Sequence, residues 1–141
     1  MSPPRPRLVI AEDQALIRLD LERLLDEAGF DICGSARDGD EAVALALELR
    51  PDLVLLDVKM PRLDGVEAAR RILAGGFVPI VMLTAYGYGE LISRAVDAGV
   101  VAFVVKPFKE RVLVEALHEA LQKAPDPASL TFFGRLPRDD V

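Results

Sequence analysis

Leu53-Val54-Leu55-Leu56-Asp57-Val58-Lys59-Met60-Pro61-Arg62-Leu63-Asp64-Gly65 is the stretch whose reading decides the fold. An apolar run leads into a carboxylate, and turn chemistry follows. A short apolar run bounded by Pro51 upstream and by Pro61 and Gly65 downstream predicts a strand buried on both faces. Asp57 then stands at the carboxyl end of that strand. Open α/β sheets bind their ligands at this edge, so the rest of the chain is read for what it brings to Asp57.

Upstream, Leu8-Val9-Ile10-Ala11 predicts a first strand, with Glu12-Asp13 directly behind it. Helical spacing follows, with Leu16, Leu19, Leu24, Leu25 and Ala28 as the apolar positions and Gly29 as the stop. Residues 30–35 predict a shorter edge strand. Asp38 or Asp40 caps a second helix, whose inward positions are Ala42, Val43, Leu45, Ala46 and Leu49. Downstream, residues 65–74 predict a helix broken by Gly75-Gly76, and residues 78–84 a fourth strand. Tyr86-Gly87-Tyr88-Gly89 reads as loop and residues 90–98 as a short helix. Residues 100–105 predict a fifth strand closing in Lys106-Pro107, and residues 110–123 a last helix. Strand and helix alternate throughout. That pattern implies an α/β protein with a doubly wound, mostly parallel (βα)5 sheet, helices on both faces and right-handed crossovers. Residues 1–6 form a proline-rich lead and residues 7–123 the domain. Residues 124–141 read as a tail, disordered or docked through Leu130, Phe132 and Phe133, because Pro125, Pro127 and Pro137 cannot continue a helix.

Of the 141 residues 51% are apolar and 28% charged, an ordinary balance for a globular domain with a real core. The net charge of -6 argues against a broad basic surface for nucleic acid or an anionic membrane. Cys33 is the one cysteine, so an internal disulfide is excluded and a reducing compartment fits. No apolar run approaches the roughly 18 residues of a membrane span, and Glu12 and Asp13 interrupt the first apolar run before it could serve as a signal core. The cytoplasm is the expected location.

In a parallel sheet the carboxyl ends of the strands share one edge. Glu12, Asp13, Asp57, Thr84 and Lys106 therefore converge: three carboxylates, a hydroxyl and an amine. Two carboxylates about 4 Å apart repel by about 1 kcal/mol in water, and by several at a protein surface. A protein that gathers three needs a cation, and hard oxygen donors with open positions suit Mg2+. A cation, a lysine and a hydroxyl are a set for neutralising a phosphoryl group, and a carboxylate can be its covalent acceptor. Asp57 is the candidate nucleophile, Glu12 and Asp13 the candidate metal carboxylates, and Lys106 and Thr84 the candidate partners of the phosphoryl oxygens.

The set Glu12-Asp13, Leu55-Leu56-Asp57-Val58-Lys59-Met60-Pro61, Asp64-Gly65, Thr84-Ala85 and Lys106-Pro107-Phe108 resembles the receiver domain of bacterial two-component response regulators. The resemblance covers about residues 7 to 123. It implies a flavodoxin-like sheet in the order 2-1-3-4-5. It implies that Asp57 takes a phosphoryl group from a phosphohistidine on a sensor histidine kinase or a phosphotransfer protein. It implies Mg2+ at Glu12, Asp13, Asp57 and the backbone carbonyl of Lys59. A switch is implied as well, in which Thr84 moves toward the phosphoryl group and Phe103 turns inward; a phenylalanine there reports by packing, having no hydroxyl. Lys59 and Tyr86 occupy positions that tune phosphoryl lifetime in the family. Lys106-Pro107 is a candidate cis bond. The run Ala98-Gly99-Val100-Val101-Ala102-Phe103 is similar to receivers attached to RNA-binding antiterminator domains. Whether this is a stand-alone receiver or a fragment of a longer RNA-binding antitermination regulator stays open, as does a homodimer through the last two helices. A dehalogenase-type phosphatase is the competing aspartyl-phosphate chemistry, but it needs an acid where Lys59 stands. No P-loop ending in GK[ST] supports a nucleotide-binding module. The reading is a switch that takes up and slowly loses a phosphoryl group, with no direct nucleic acid or membrane contact by this chain.

Overall fold

The structure, a computed structural model, describes residues 4–60, 62–85, 89–123 and 131–133. Strands β1 (Arg7–Ala11), β2 (Asp31–Ala36), β3 (Leu53–Asp57), β4 (Ile80–Thr84), β5 (Ala102–Val105) and β6 (Thr131–Phe133) form one sheet in the order β2-β1-β3-β4-β5-β6. Every pairing is parallel. Helices α1 (Ala15–Glu27), α2 (Gly39–Leu49), α3 (Gly65–Ala74), α4 (Gly89–Ala98) and α5 (Glu110–Ala120) provide the crossovers. The first five strands take the predicted order 2-1-3-4-5, a flavodoxin-like arrangement.

The sheet is buried on both faces because its strands are apolar at successive positions. Leu53 and Leu55 of β3 pack in one cluster with Leu21 and Leu25 of α1 and Leu113 and Leu117 of α5. Val54 and Leu56 pack in the other with Ala42 and Ala46 of α2, Val66 and Ala69 of α3, and Ala95 of α4. The four apolar β3 side chains are fully buried, and each contributes about 1.5–3 kcal/mol by leaving water.

Several elements differ from the sequence reading. In α1 the inward positions are Leu21 and Leu25, whereas Leu16 and Leu19 are 78% and 52% exposed. From Leu25 and Leu21 the inward stripe continues back, one three-residue step, to the half-buried Arg18 and not to leucine. A polar residue on the core face misdirects an apolar-periodicity argument. The fourth and fifth strands begin at Ile80 and Ala102, two residues later than expected. Pro79 has no N–H for the ladder, and only its carbonyl joins, accepting from Val54 N at 3.0 Å. Lastly, the segment read as a tail supplies β6 beside β5. Thr131, Phe132 and Phe133 are strand-favouring residues, but three residues carry no readable period. Leu130, Pro61 and Tyr86-Gly87-Tyr88 lie outside the described residues.

Helices α2 and α3 are capped. Of the two candidate caps of α2, Asp38 does the work, its Oδ1 accepting from Glu41 N at 2.8 Å. Asp64 caps α3, accepting from Glu67 N at 2.9 Å. Such a cap is worth about 1 kcal/mol.

Candidate functional site

The pairing register sets the site before any side chain is considered. Ala11 lies opposite Leu56, Asp57 opposite Leu83, and Thr84 opposite Val105. Glu12, Asp57, Thr84 and Lys106 thus leave the sheet within two residues of one another. They do so at the mouth of an open cleft of about 720 Å3, which Asp13, Asp57, Lys59, Thr84 and Lys106 line.

Lys106 is the hub. Its Nζ lies 2.9 Å from Asp57 Oδ2 and 3.6 Å from Glu12 Oε1. Its backbone N–H donates to the Thr84 carbonyl at 2.7 Å, and the Lys106-Pro107 bond is cis. The other Asp57 oxygen, Oδ1, accepts from Lys59 N at 3.2 Å. Thr84 is buried at the head of the cleft.

Glu12, Asp13 and Asp57 each bring an oxygen to within 4.8 Å of the other two. Glu12 is fully buried. Burial, followed by the neighbouring Asp57 carboxylate, pushes its carboxyl up from 4.5 to about 7, against the pull of Lys106. Glu12 Oε1 has no hydrogen-bond partner among the described residues. A buried carboxylate oxygen without a donor costs free energy. Here it faces a cluster of hard oxygens, the donor chemistry of Mg2+. The residues fit a divalent cation.

The loop between Asp57 and α3 is held by close backbone approach. Val58 N donates to Leu83 O at 3.0 Å and Gly65 N to Val58 O at 2.8 Å. A Cβ on Gly65 would fall 2.4 Å from the Asp57 carbonyl oxygen. Only glycine fits there. Gly39, at the start of α2, is packed as tightly against the Leu63 carbonyl, 2.0 Å from where its Cβ would be.

Every residue expected at the strand ends is found there. Phe103 is not in the cleft. It is fully buried within the cluster beneath α2, α3 and α4, opposite Met82 in the ladder. Three contributors escape the sequence reading. Gln14 and Leu91 line the cleft, and Arg18 Nη1 donates to the Glu12 carbonyl at 2.8 Å. The signal for Arg18 is its spacing of four from Gln14, which puts both on the face of α1 that starts at the acidic pair. Leu91 has no signal short of the fold.

The pocket at the carboxyl edge of this α/β sheet is acidic and bridged by a lysine. Residues 8–118 match the family model described as response regulator receiver domain. The chain belongs to this family. It is 50% identical over 117 residues, 83% of its length, to the transcriptional regulatory protein PdtaR of Mycobacterium tuberculosis. It spans 57% of that protein's length. With the chemotaxis protein CheY of Thermotoga maritima it shares 35% identity over 114 residues, covering 80% of this chain and 95% of that one. Among solved structures, a CheX–CheY–BeF3–Mg2+ complex from Borrelia burgdorferi superposes with a TM-score of 0.78 at 26% identity, over 83% of this chain and 90% of that one. The chain is a receiver domain of two-component signalling. No described helix is long and apolar enough to cross a membrane.

Proposed function

We propose that Asp57 is the phosphoryl acceptor of a conformational switch, taking its phosphoryl group from a phosphohistidine on a sensor histidine kinase or phosphotransfer protein. One carboxylate oxygen of Asp57 attacks phosphorus. The P–N bond breaks, and its electron pair returns to the imidazole nitrogen, which is then protonated. Lys106 pairs with the negative charge that develops on the phosphoryl oxygens, and Thr84 donates its hydroxyl to another. Glu12, Asp13, Asp57 and the Lys59 carbonyl would hold Mg2+. Bound there, the ion neutralises charge on the transferring group. Glu12 and Asp13 keep this demand for a cation in place when Asp57 is occupied.

The observation that carries the reading is the buried Glu12 Oε1, left without a donor beside Asp57 and Lys106. A CheY relative in complex with Mg2+ and BeF3 supports the same occupancy. The domain acts once per phosphoryl group and does not turn over a substrate; Lys59 stands where a dehalogenase-type phosphatase would need its acid. Phe103 repacks between the α3–α4 side of the sheet and its surroundings as Thr84 moves. The cell compartment is the cytoplasm, where sensor kinases present their phosphohistidine.

With Mg2+ and acetyl phosphate the protein gains one acid-stable, base-labile phosphoryl group, and Asp57→Asn abolishes it. Persistent labelling of Asp57→Asn at another residue defeats the assignment. A second reading is favoured by the 50% identity to PdtaR, of which this chain spans 57%: the receiver is the input module of a longer regulator whose output acts on RNA. Mapping whether the reading frame runs past Val141 decides it.

A further inference from the structure

The loop between β3 and α3, residues 58–64, carries Lys59 and is held at both ends. At its start Val58 N donates to Leu83 O at 3.0 Å, and Lys59 N donates to Asp57 Oδ1 at 3.2 Å. At its end Asp64 uses both carboxylate oxygens. Oδ1 accepts from Glu67 N at 2.9 Å, which caps α3. Oδ2 accepts from Arg94 Nη2 of α4 at 3.3 Å. Between the ends Arg62 stands at φ 71°, in the left-handed region that residues other than glycine rarely adopt. Such a conformation persists only where its surroundings hold it. The close approach of the Leu63 carbonyl to Gly39 is one hold, and the Arg94–Asp64 ion pair is another. Arg94 also stands near the cleft along its own helix. Leu91, one turn earlier on α4, lines the cleft together with Lys59 and Met60, and Ala95 and Ala98 seat the helix in the core.

We propose that Arg94 is a positioning residue: through Asp64 it fixes the loop that presents Lys59 to the cation site. The inference deepens the proposed function, and its cation arm rests on that reading. The pair is suited to placing the loop and not to stabilising the fold. Both side chains are about half exposed, and an exposed ion pair contributes little to global stability. Asp64 is already ordered by its cap, so the guanidinium meets a carboxylate that loses little further freedom. The cap needs only one oxygen. Without Arg94 the cap would stand, but the loop's end would no longer be tied to α4. Mg2+ demands near-ideal octahedral geometry at short distances, so a loop displaced by a fraction of an ångström binds it more weakly. The coupling is reciprocal by linkage: a cation drawing on the Lys59 carbonyl orders the loop and favours the same ion pair, and α4 thereby senses whether the cation is bound.

The test uses the full chain and Arg94→Met, which keeps a long, helix-favouring side chain and removes its charge. In metal-free protein, hydrogen–deuterium exchange of the Val58 and Lys59 amides rises by about threefold or more in the variant, while β1 and β4 amides stay protected and the melting temperature is unchanged. Calorimetric titration with Mg2+ shows affinity about threefold weaker, the scale an exposed ion pair can supply, and Arg94→Lys recovers most of it. Asp64→Asn loses the charge but keeps the cap, since asparagine caps as well as aspartate. It weakens Mg2+ binding to the same extent, and adding Arg94→Met to it causes no further loss. Equal loop exchange and equal Mg2+ affinity in the native chain and Arg94→Met overturn the inference, as do losses that add in the double variant. A lower melting temperature with faster exchange in β1 and β4 also overturns it, because Arg94 would then support the fold at large. If the native chain binds no Mg2+, the cation reading of the proposed function is what fails; loop exchange in the metal-free variant judges Arg94 on its own.

Discussion

Lys106 and Asp57 are joined across the carboxyl edge of the sheet, Nζ to Oδ2 at 2.9 Å, although they stand 49 residues apart in sequence. The same ammonium lies 3.6 Å from the buried Glu12. One flexible side chain therefore reads the charge of both carboxylates, and a phosphoryl group on Asp57 would draw it away from them.

Lys106→Ala removes that reader without removing the acceptor. The variant is expected to take up phosphate from acetyl phosphate but to show no phosphorylation-dependent change in oligomeric state or partner affinity. Mass spectrometry of the labelled protein beside analytical ultracentrifugation measures both; an unchanged phosphorylation-induced shift in Lys106→Ala refutes the role.

Glu12 gives the metal-free protein a pH dependence with a defined sign. Its carboxyl titrates near 7 in the fold and at 4.5 in the unfolded chain, so folding takes up a proton between those values. The stabilising proton is fully present below pH 4.5 and is lost as pH rises through 7, a swing of about 3 kcal/mol. Metal-free protein should accordingly melt at a higher temperature at pH 6 than at pH 8, and Glu12→Gln should flatten that difference. Mg2+ requires the deprotonated carboxylate, so its affinity should rise over the same interval. Thermal melts with and without Mg2+ across this range measure both trends.

Gly65→Ala tests the backbone approach beneath Asp57. A Cβ 2.4 Å from the Asp57 carbonyl oxygen forces the loop outward. A stability loss of about 1–3 kcal/mol is expected from such overpacking, together with weaker Mg2+ binding, because the loop carries the Lys59 carbonyl. Denaturant titration and calorimetry with Mg2+ separate the two effects.

Arg18→Ala deletes the donor to the Glu12 carbonyl. The expected cost is about 1–3 kcal/mol for a hydrogen bond from a charged group, with Mg2+ affinity falling as the acidic pair loosens. Arg18→Lys should recover part of both. Leu16→Ala, on an exposed position of the same helix, should change stability by no more than about 0.5 kcal/mol.

Much of this molecule can be read from residues alone, for a physical reason. Leu53–Asp57 is apolar at every position but the last, a pattern that only a strand covered on both faces can use. The placement of Asp57, Thr84 and Lys106 follows from parallelism, which puts strand ends on one edge whatever the side-chain details. What resists reading depends on local packing. Leu24, Leu25 and Ala28 at the end of α1 pack on the core as their spacing indicates, but Leu16 and Leu19 are exposed. The glycine requirement at residue 39 arises from the Leu63 carbonyl, contributed by a different loop. β6, paired with β5, is too short to carry a period.

The strict alternation along the strands has a further consequence. Leu53 and Leu55 face α1 and α5, and Asp57 continues their parity; Val104 belongs to the same side, and Lys106 continues its parity. Met82 and Phe103 face α2, α3 and α4, and Thr84 continues the parity of Met82. The sheet is thus a partition, with acceptor and amine above it and hydroxyl and aromatic below. Only at the rim, where the partition stops, can a single small group touch both compartments. Under the proposed function, a phosphoryl group on Asp57 would meet both sides of the sheet at that rim.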